Sequence, residues 1–186
     1  MKRSDESSQV RLFVCHLSQD DPRRCTAVKM RKFRAVIFLG GLSRAPRRAV
    51  VLNPAAEGVL HPGERDALEK GGIVAVDCSW NKVEPVFSHR LKGQQRRLPA
   101  LLAANPVNYG HLGKLSTAEA LAGALYVCGF DNQAKRILAL FSWGGSFLTL
   151  NQDPLAEYST ARSREEIRQI EESFFGKSTP EDAHLA

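Results

Sequence analysis

Short apolar runs recur through the first hundred residues, at 12–15, 35–39, 49–52, 73–76 and 100–104. Each is nearly continuous rather than alternating, which suits strands covered on both faces, as in a parallel sheet. Residues 62–70 read as a helix, with Pro62 near its start, Glu64 and Asp66 early, Lys70 late and a Gly71-Gly72 stop. Strand, helix, glycine stop and strand together are the signature of a βαβ crossover. Beyond about residue 110 the spacing becomes helical. Ser116-Thr117-Ala118-Glu119 is a capping-box pattern ahead of an apolar helix that ends at Gly129. Residues 132–141 predict another helix, and 163–175 a third, with Ser163 followed three residues on by Glu166. The pattern therefore predicts an α/β fold: a parallel-rich sheet domain followed by an all-helical one. The expected divisions are a disordered tail at 1–10, an α/β domain at 11–97, a mainly helical domain at 98–175 and an acidic tail at 176–186.

Charge sharpens this division. Residues 163–186 hold three basic and six acidic side chains; with the whole chain at +6 and residues 1–10 neutral, residues 11–162 carry +9. The cations cluster as Lys29, Arg31, Lys32 and Arg34, then Arg44, Arg47 and Arg48, then Arg90, Lys92, Arg96 and Arg97. One such run is an ordinary solvated surface; three in one domain with a pI of about 9.4 point to a polyanionic partner, above all nucleic acid. No apolar run approaches the roughly 20 residues that span a bilayer, and the polar stretch Met1 to Gln9 does not read as a secretory signal. Four cysteines without a C-x-x-C pair, and five scattered histidines, give no metal-site spacing. The expected metal is none.

The glycine pairs at 40–41, 71–72 and 144–145 lack the further residues of a phosphate loop or dinucleotide fingerprint, and there is no G-x-S-x-G elbow. Triphosphate hydrolysis, Rossmann-type binding and serine hydrolase chemistry are thereby disfavoured. The chemistry is expected instead where strands end. Asp77 closes an apolar run; it is either a turn carboxylate, or an acceptor for an amine or a base beside a ligand. Trp80 is core, or packs on a nucleobase or ligand tail. Thr26 caps a helix, or its hydroxyl reaches a ribose. The stretch Ala103-Ala104-Asn105-Pro106-Val107-Asn108-Tyr109-Gly110 is a run of small and turn-forming residues before a helix start.

Taken together, Asp21-Pro22-Arg23-Arg24-Cys25-Thr26, Val51-Leu52-Asn53-Pro54, Asp77-Cys78-Ser79-Trp80, Arg97-Leu98-Pro99 and the 103–110 turn occur in a telling order and spacing. With Lys114-Leu115-Ser116 and Phe141-Ser142-Trp143-Gly144, over residues 10–175, the chain resembles the small-subunit ribosomal RNA aminocarboxypropyltransferase family. Any one motif is weak; the ordered set is specific. The resemblance implies a SPOUT-like fold with a trefoil knot, a feature that pattern alone would not suggest. It implies S-adenosylmethionine as cofactor and transfer of its 3-amino-3-carboxypropyl group to N3 of a uridine or (methyl)pseudouridine in small-subunit rRNA.

By the same resemblance, Thr26 meets the cofactor's ribose, and Leu52, Val76 and Leu98 surround its adenosine. The turn from Tyr109 to Gly113 and the hydroxyl of Thr117 complete the pocket, and Asp77 and Trp80 face the reacting side. Eukaryotic relatives carry an aromatic where this chain has Gly113, so a ring contact is lost there while a main-chain contact remains available. The absence of a long acidic tail implies an archaeal member. The implied partners are small-subunit rRNA or a pre-ribosomal particle, bound by a cytoplasmic monomer through the basic residues. The rival readings are a SPOUT-type rRNA methyltransferase and an rRNA-binding assembly factor without chemistry.

Overall fold

The computed structural model describes residues 9–16, 25–77 and 93–176. Five strands form one sheet: β1 (Leu12–His16), β2 (Ile37–Leu39), β3 (Val50–Leu52), β4 (Ile73–Asp77) and β5 (Gln94–Arg96). Their order is β2-β1-β4-β3-β5 and every pairing is parallel. Both faces are covered, as continuous apolar runs require. Leu12, Val14, Val50, Leu52, Ile73 and Ala75 join the main core, whereas Phe13, Val51 and Val74 point to a smaller cluster with Ala45 and Ala49. Strands of period two thus feed two unequal layers.

Among the described residues the helices are α1 (Thr26–Lys32), α2 (Arg65–Gly71), α3 (Thr117–Val127), α4 (Asp131–Leu138), α5 (Gly144–Leu150), α6 (Gln152–Tyr158) and α7 (Arg164–Phe175). A turn of 3₁₀ helix at Pro62–Glu64 leads into α2. The expected β3–α2–β4 crossover is present, and its glycine stop has a steric cause. A Cβ on Gly71 would run into the Arg48 carbonyl, and Gly72 adopts φ +82° against Arg11. Ser116 and Ser163 cap α3 and α7 as expected, and in α3 the capping box is complete. One hydrophobic core takes in β1, β3 and β4 together with residues of α1 to α7. Among the described residues no helix is long and apolar enough to cross a membrane.

Several expectations need correction. Residues 100–104 are not a strand of the sheet; among the described residues their one β contact is an isolated antiparallel bridge between Leu102 and Leu112. Helical side chains stand in for neighbouring strands. Ala100 N–H donates to Glu171, the Asn151 amide pairs both polar groups of Leu102, and Ala104 N–H donates to Glu119. β5 was not expected, because Gln94, Gln95 and Arg96 carry no apolar signal. Nor were α5 and α6, which meet at the buried Asn151, or the extent of α1, whose cap is Cys25 rather than Thr26.

Candidate active site

β1 and β4 lie side by side in the sheet, with His16 opposite Asp77 at their carboxyl ends. From β1 the chain passes through α1 to β2 on one side; from β4 it passes to β5, on the far side of β3. Connections departing in opposite directions create a switch point, the place in an open α/β sheet where a crevice forms and ligands bind. Two helices begin there, α1 at Cys25 and α3 at Thr117.

Asp77 is the hub of this edge. His16 Nδ1 lies 2.6 Å from its Oδ2, the Cys25 thiol donates to the same oxygen at 3.2 Å, and the Thr117 hydroxyl donates to Oδ1 at 2.7 Å. An ionised carboxylate only accepts, so the imidazole carries a proton on Nδ1. Burial, with the Asp77 charge, pushes the Cys25 thiol up to about 11, which keeps it an S–H donor at neutral pH. The N-terminal end of α3 adds the positive end of its dipole. Thr26 closes the group: its hydroxyl accepts the Ala118 N–H at 3.4 Å, which ties α1 to α3.

His16, Cys25 and Asp77 hold three possible metal ligands within 4.8 Å of one another. In a tetrahedral site, bonds of about 2.0–2.1 Å separate two light ligand atoms by roughly 3.3 Å. The 2.6 Å contact between His16 and Asp77 is shorter, and is that of a direct hydrogen bond. The set is a hydrogen-bonded array around one carboxylate.

The second wall is the loop before α3. Glu119 is fully buried and accepts four hydrogen bonds: Ala104 N–H at 2.6 Å, Asn105 N–H at 2.9 Å, the Asn105 side chain at 2.8 Å and Ser116 N–H at 2.7 Å. Asn105 in turn accepts from Val107 and Asn108. One carboxylate therefore folds the 104–116 loop and caps the helix that delivers Thr117. At the loop's outer turn Tyr109 is 62% exposed. Gly113 adopts φ +77°, and a Cβ there would meet nothing within 4 Å, so this side of the loop borders open space.

The structure thus joins Asp77 and Thr117 by a hydrogen bond and places Thr26 beside them, bonded to the N–H of Ala118. Val76 precedes Asp77 on β4, Leu52 ends the neighbouring β3, and Leu98 follows β5 by two residues. Tyr109 and Gly113 lie on the braced loop. Trp80, Arg90 and Lys92 lie outside the described residues. Lys29, Arg31, Lys32, Arg44, Arg47 and Arg48 are exposed. Arg96 and Arg97 are otherwise engaged. Arg96 pairs with Glu64, and Arg97 makes a two-pronged pair with Glu171 at 2.6 and 2.8 Å. The sequence reading missed His16, the role of Cys25 and the reach of Glu119. The available signal was that His16 ends an apolar run just as Asp77 does.

Residues 50–175 match the model of a family described as "Ribosome biogenesis protein, C-terminal". The chain is 43% identical over 171 residues to the 16S rRNA aminocarboxypropyltransferase of Methanosarcina mazei, covering 91% of this chain and 97% of that one. It is 44% identical to the protein of that name from Thermoplasma volcanium, covering 89% and 98%. Among solved structures it resembles the SAM-dependent rRNA:acp-transferase Tsr3 from Vulcanisaeta distributa. The TM-score is 0.78 at 34% identity, over 88% of this chain and 97% of that one.

Proposed function

This chain belongs to the 16S rRNA aminocarboxypropyltransferase family, and from that premise we propose the reaction its residues serve. It transfers the 3-amino-3-carboxypropyl group of S-adenosylmethionine to N3 of a uridine or (methyl)pseudouridine in small-subunit rRNA. The observation that carries this reading is the convergence of Thr26, Asp77 and Thr117 at the β1/β4 switch point, in a chain so similar to named transferases end to end.

The residues fit the donor. A carboxylate at a helix start suits the ammonium of the methionine arm, hydroxyls of Thr26 and Thr117 suit polar groups of the nucleoside, and Leu52, Val76 and Leu98 suit the adenosine. S-adenosylmethionine supplies a sulfonium whose carbons are open to displacement; as N3 bonds the aligned carbon, that carbon's bond to sulfur breaks, methylthioadenosine leaves as a neutral thioether and the N3 proton passes to solvent. The protein's task is therefore alignment. Asp77 has about four acceptor positions; among the described residues His16, Cys25 and Thr117 take three. The remaining one holds the ammonium, and so fixes the direction of the arm. Its oxygens are committed as acceptors, which makes it an orienting group rather than the base for N3–H. Trp80 covers the methyl group, and main-chain groups between Tyr109 and Gly113 receive the base of the donor. Lys29, Arg31, Lys32, Arg44, Arg47 and Arg48 neutralise rRNA phosphates without reading sequence.

The reading brings with it a SPOUT-like knotted path, with the 11–97 and 98–175 segments closing on one donor site. It also takes the enzyme to act as a cytoplasmic monomer. The decisive test supplies donor labelled separately in the methyl and carboxyl positions. Carboxyl label alone should enter the RNA; methyl label alone would make the protein a methyltransferase, and no label an assembly factor.

A further inference from the structure

Helices α1 and α3 end in the same way, with one difference. In α3, Phe130 N–H donates to Leu125 and Gly129 N–H to Tyr126, with Gly129 at φ +76°. In α1, Ala35 N–H donates to Met30 and Arg34 N–H to Arg31, with Arg34 at φ +57°. Both are Schellman closures, whose left-handed position favours glycine because a Cβ is strained there. Among the described residues Arg34 is the one non-glycine residue with positive φ. A strained side chain kept at an exposed corner is a reason to look for its use.

Its surroundings supply one. Phe33, the residue before it, is 57% exposed, and Ile37 at the start of the edge strand β2 is 52% exposed. Lys29, Arg31 and Lys32 are exposed beside them, and no acidic residue occurs between Cys25 and Leu39. None of the ion pairs among the described residues includes these cations or Arg34. The patch also reaches the site. The Arg31 guanidinium lies 4.7 Å from the centre of the Phe38 ring, that ring lies 5.1 Å from the His16 ring, and His16 bonds Asp77.

We propose that this corner of α1 is the platform on which the RNA strand entering the site is held, with Phe33 stacked on an unpaired base and Arg34, Arg31 and Lys32 on the adjoining phosphates. Exposed aromatics set among unpaired cations match single-stranded RNA, because every base offers a face for stacking and every linkage a charge. The identity of the partner as RNA rests on the function proposed above; the platform itself does not depend on which group is transferred.

The test uses the full chain and a short single-stranded oligoribonucleotide containing uridine. Phe33→Ala should weaken binding about tenfold with an unchanged salt slope. Arg34→Gly should raise the melting temperature by removing the strain, yet weaken binding several-fold and lower the salt slope by about one. Affinity for S-adenosylmethionine should stay at the wild-type value in both. RNA affinity retained by both variants overturns the platform and leaves this face to a protein partner. A fall in melting temperature with Arg34→Gly also overturns it, because Arg34 would then be a structural residue. Failure of aminocarboxypropyl transfer by the wild-type protein, with the RNA effects intact, refutes the reaction and leaves the platform standing.

Discussion

The two walls of the candidate site are each organised by a carboxylate, and the two carboxylates differ in what they leave free. Glu119 is fully buried, and four donors fill its acceptor positions, all from the loop that it braces and the helix start that it caps. Asp77 keeps 12% of its side chain exposed and has three donors among the described residues. A carboxylate with every lone pair occupied can only hold structure. One held by three donors among the described residues, at the carboxyl edge of a sheet, is placed to receive a cation. On the function proposed above, the same functional group builds the scaffold on one wall and meets the ligand on the other.

Breaking the scaffold side should have the larger effect on stability. Glu119→Ala leaves buried N–H groups of Ala104, Asn105 and Ser116 unpaired. At about 1 kcal/mol or more for each, unfolding in urea should show a loss of at least about 3 kcal/mol. Asp77→Asn keeps the shape of the hub, so the midpoint should move little while the transfer rate falls about 100-fold, roughly 2.7 kcal/mol in the barrier. If Asp77→Asn unfolds the protein as Glu119→Ala does, the distinction between the walls is lost.

The cations divide in the same manner. Arg97 pairs with Glu171, which also receives the Ala100 N–H and so stands in for a strand beside residues 98–102. Arg97→Ala strands that half-buried carboxylate and should cost about 2 kcal/mol of stability. Arg31→Ala and Lys32→Ala should cost less than about 0.5 kcal/mol, as exposed substitutions do, and weaken RNA binding instead. Equal stability losses in the two groups would erase the division.

The smallest effect concerns the hub's thiol. The folded protein raises the Cys25 pKa from 9.0 to about 11, so the folded state retains a proton that the unfolded chain releases. The associated stability is complete below about pH 9 and is lost as pH rises through about 11. Cys25→Ser should therefore flatten the decline in stability over that window, measured by urea titration at successive pH values. An unchanged decline would remove Cys25 from the array around Asp77.

Much of this was legible in the chain. Strands β1 to β4 are continuous apolar runs, and the capping residues of α3 and α7 announce those helices. Asp77, Thr26 and Thr117 sit at element ends, where punctuation residues draw attention. β5 was illegible because Gln94, Gln95 and Arg96 form an edge strand with little to bury. Residues 100–104 misled for the opposite reason. They are apolar and extended, but their polar groups are satisfied by Glu171, Asn151 and Glu119, partners 15 to 71 residues away in sequence. His16 and Cys25 carry no motif; only register and helix placement turn them toward Asp77. In the same way, no sequence pattern separates Arg97, locked on Glu171, from Arg31, which is exposed and makes no ion pair among the described residues.

The central claim is that Asp77 grips the amino group of the donor's methionine arm. The most direct measurement is a calorimetric cycle with S-adenosylmethionine and an analogue lacking that amino group, each titrated into the wild-type protein and Asp77→Asn. Strong coupling is predicted: the wild-type protein should prefer the intact donor by at least about tenfold, and the variant should scarcely distinguish the two. Equal discrimination by both proteins would place the amino group elsewhere and contradict the account.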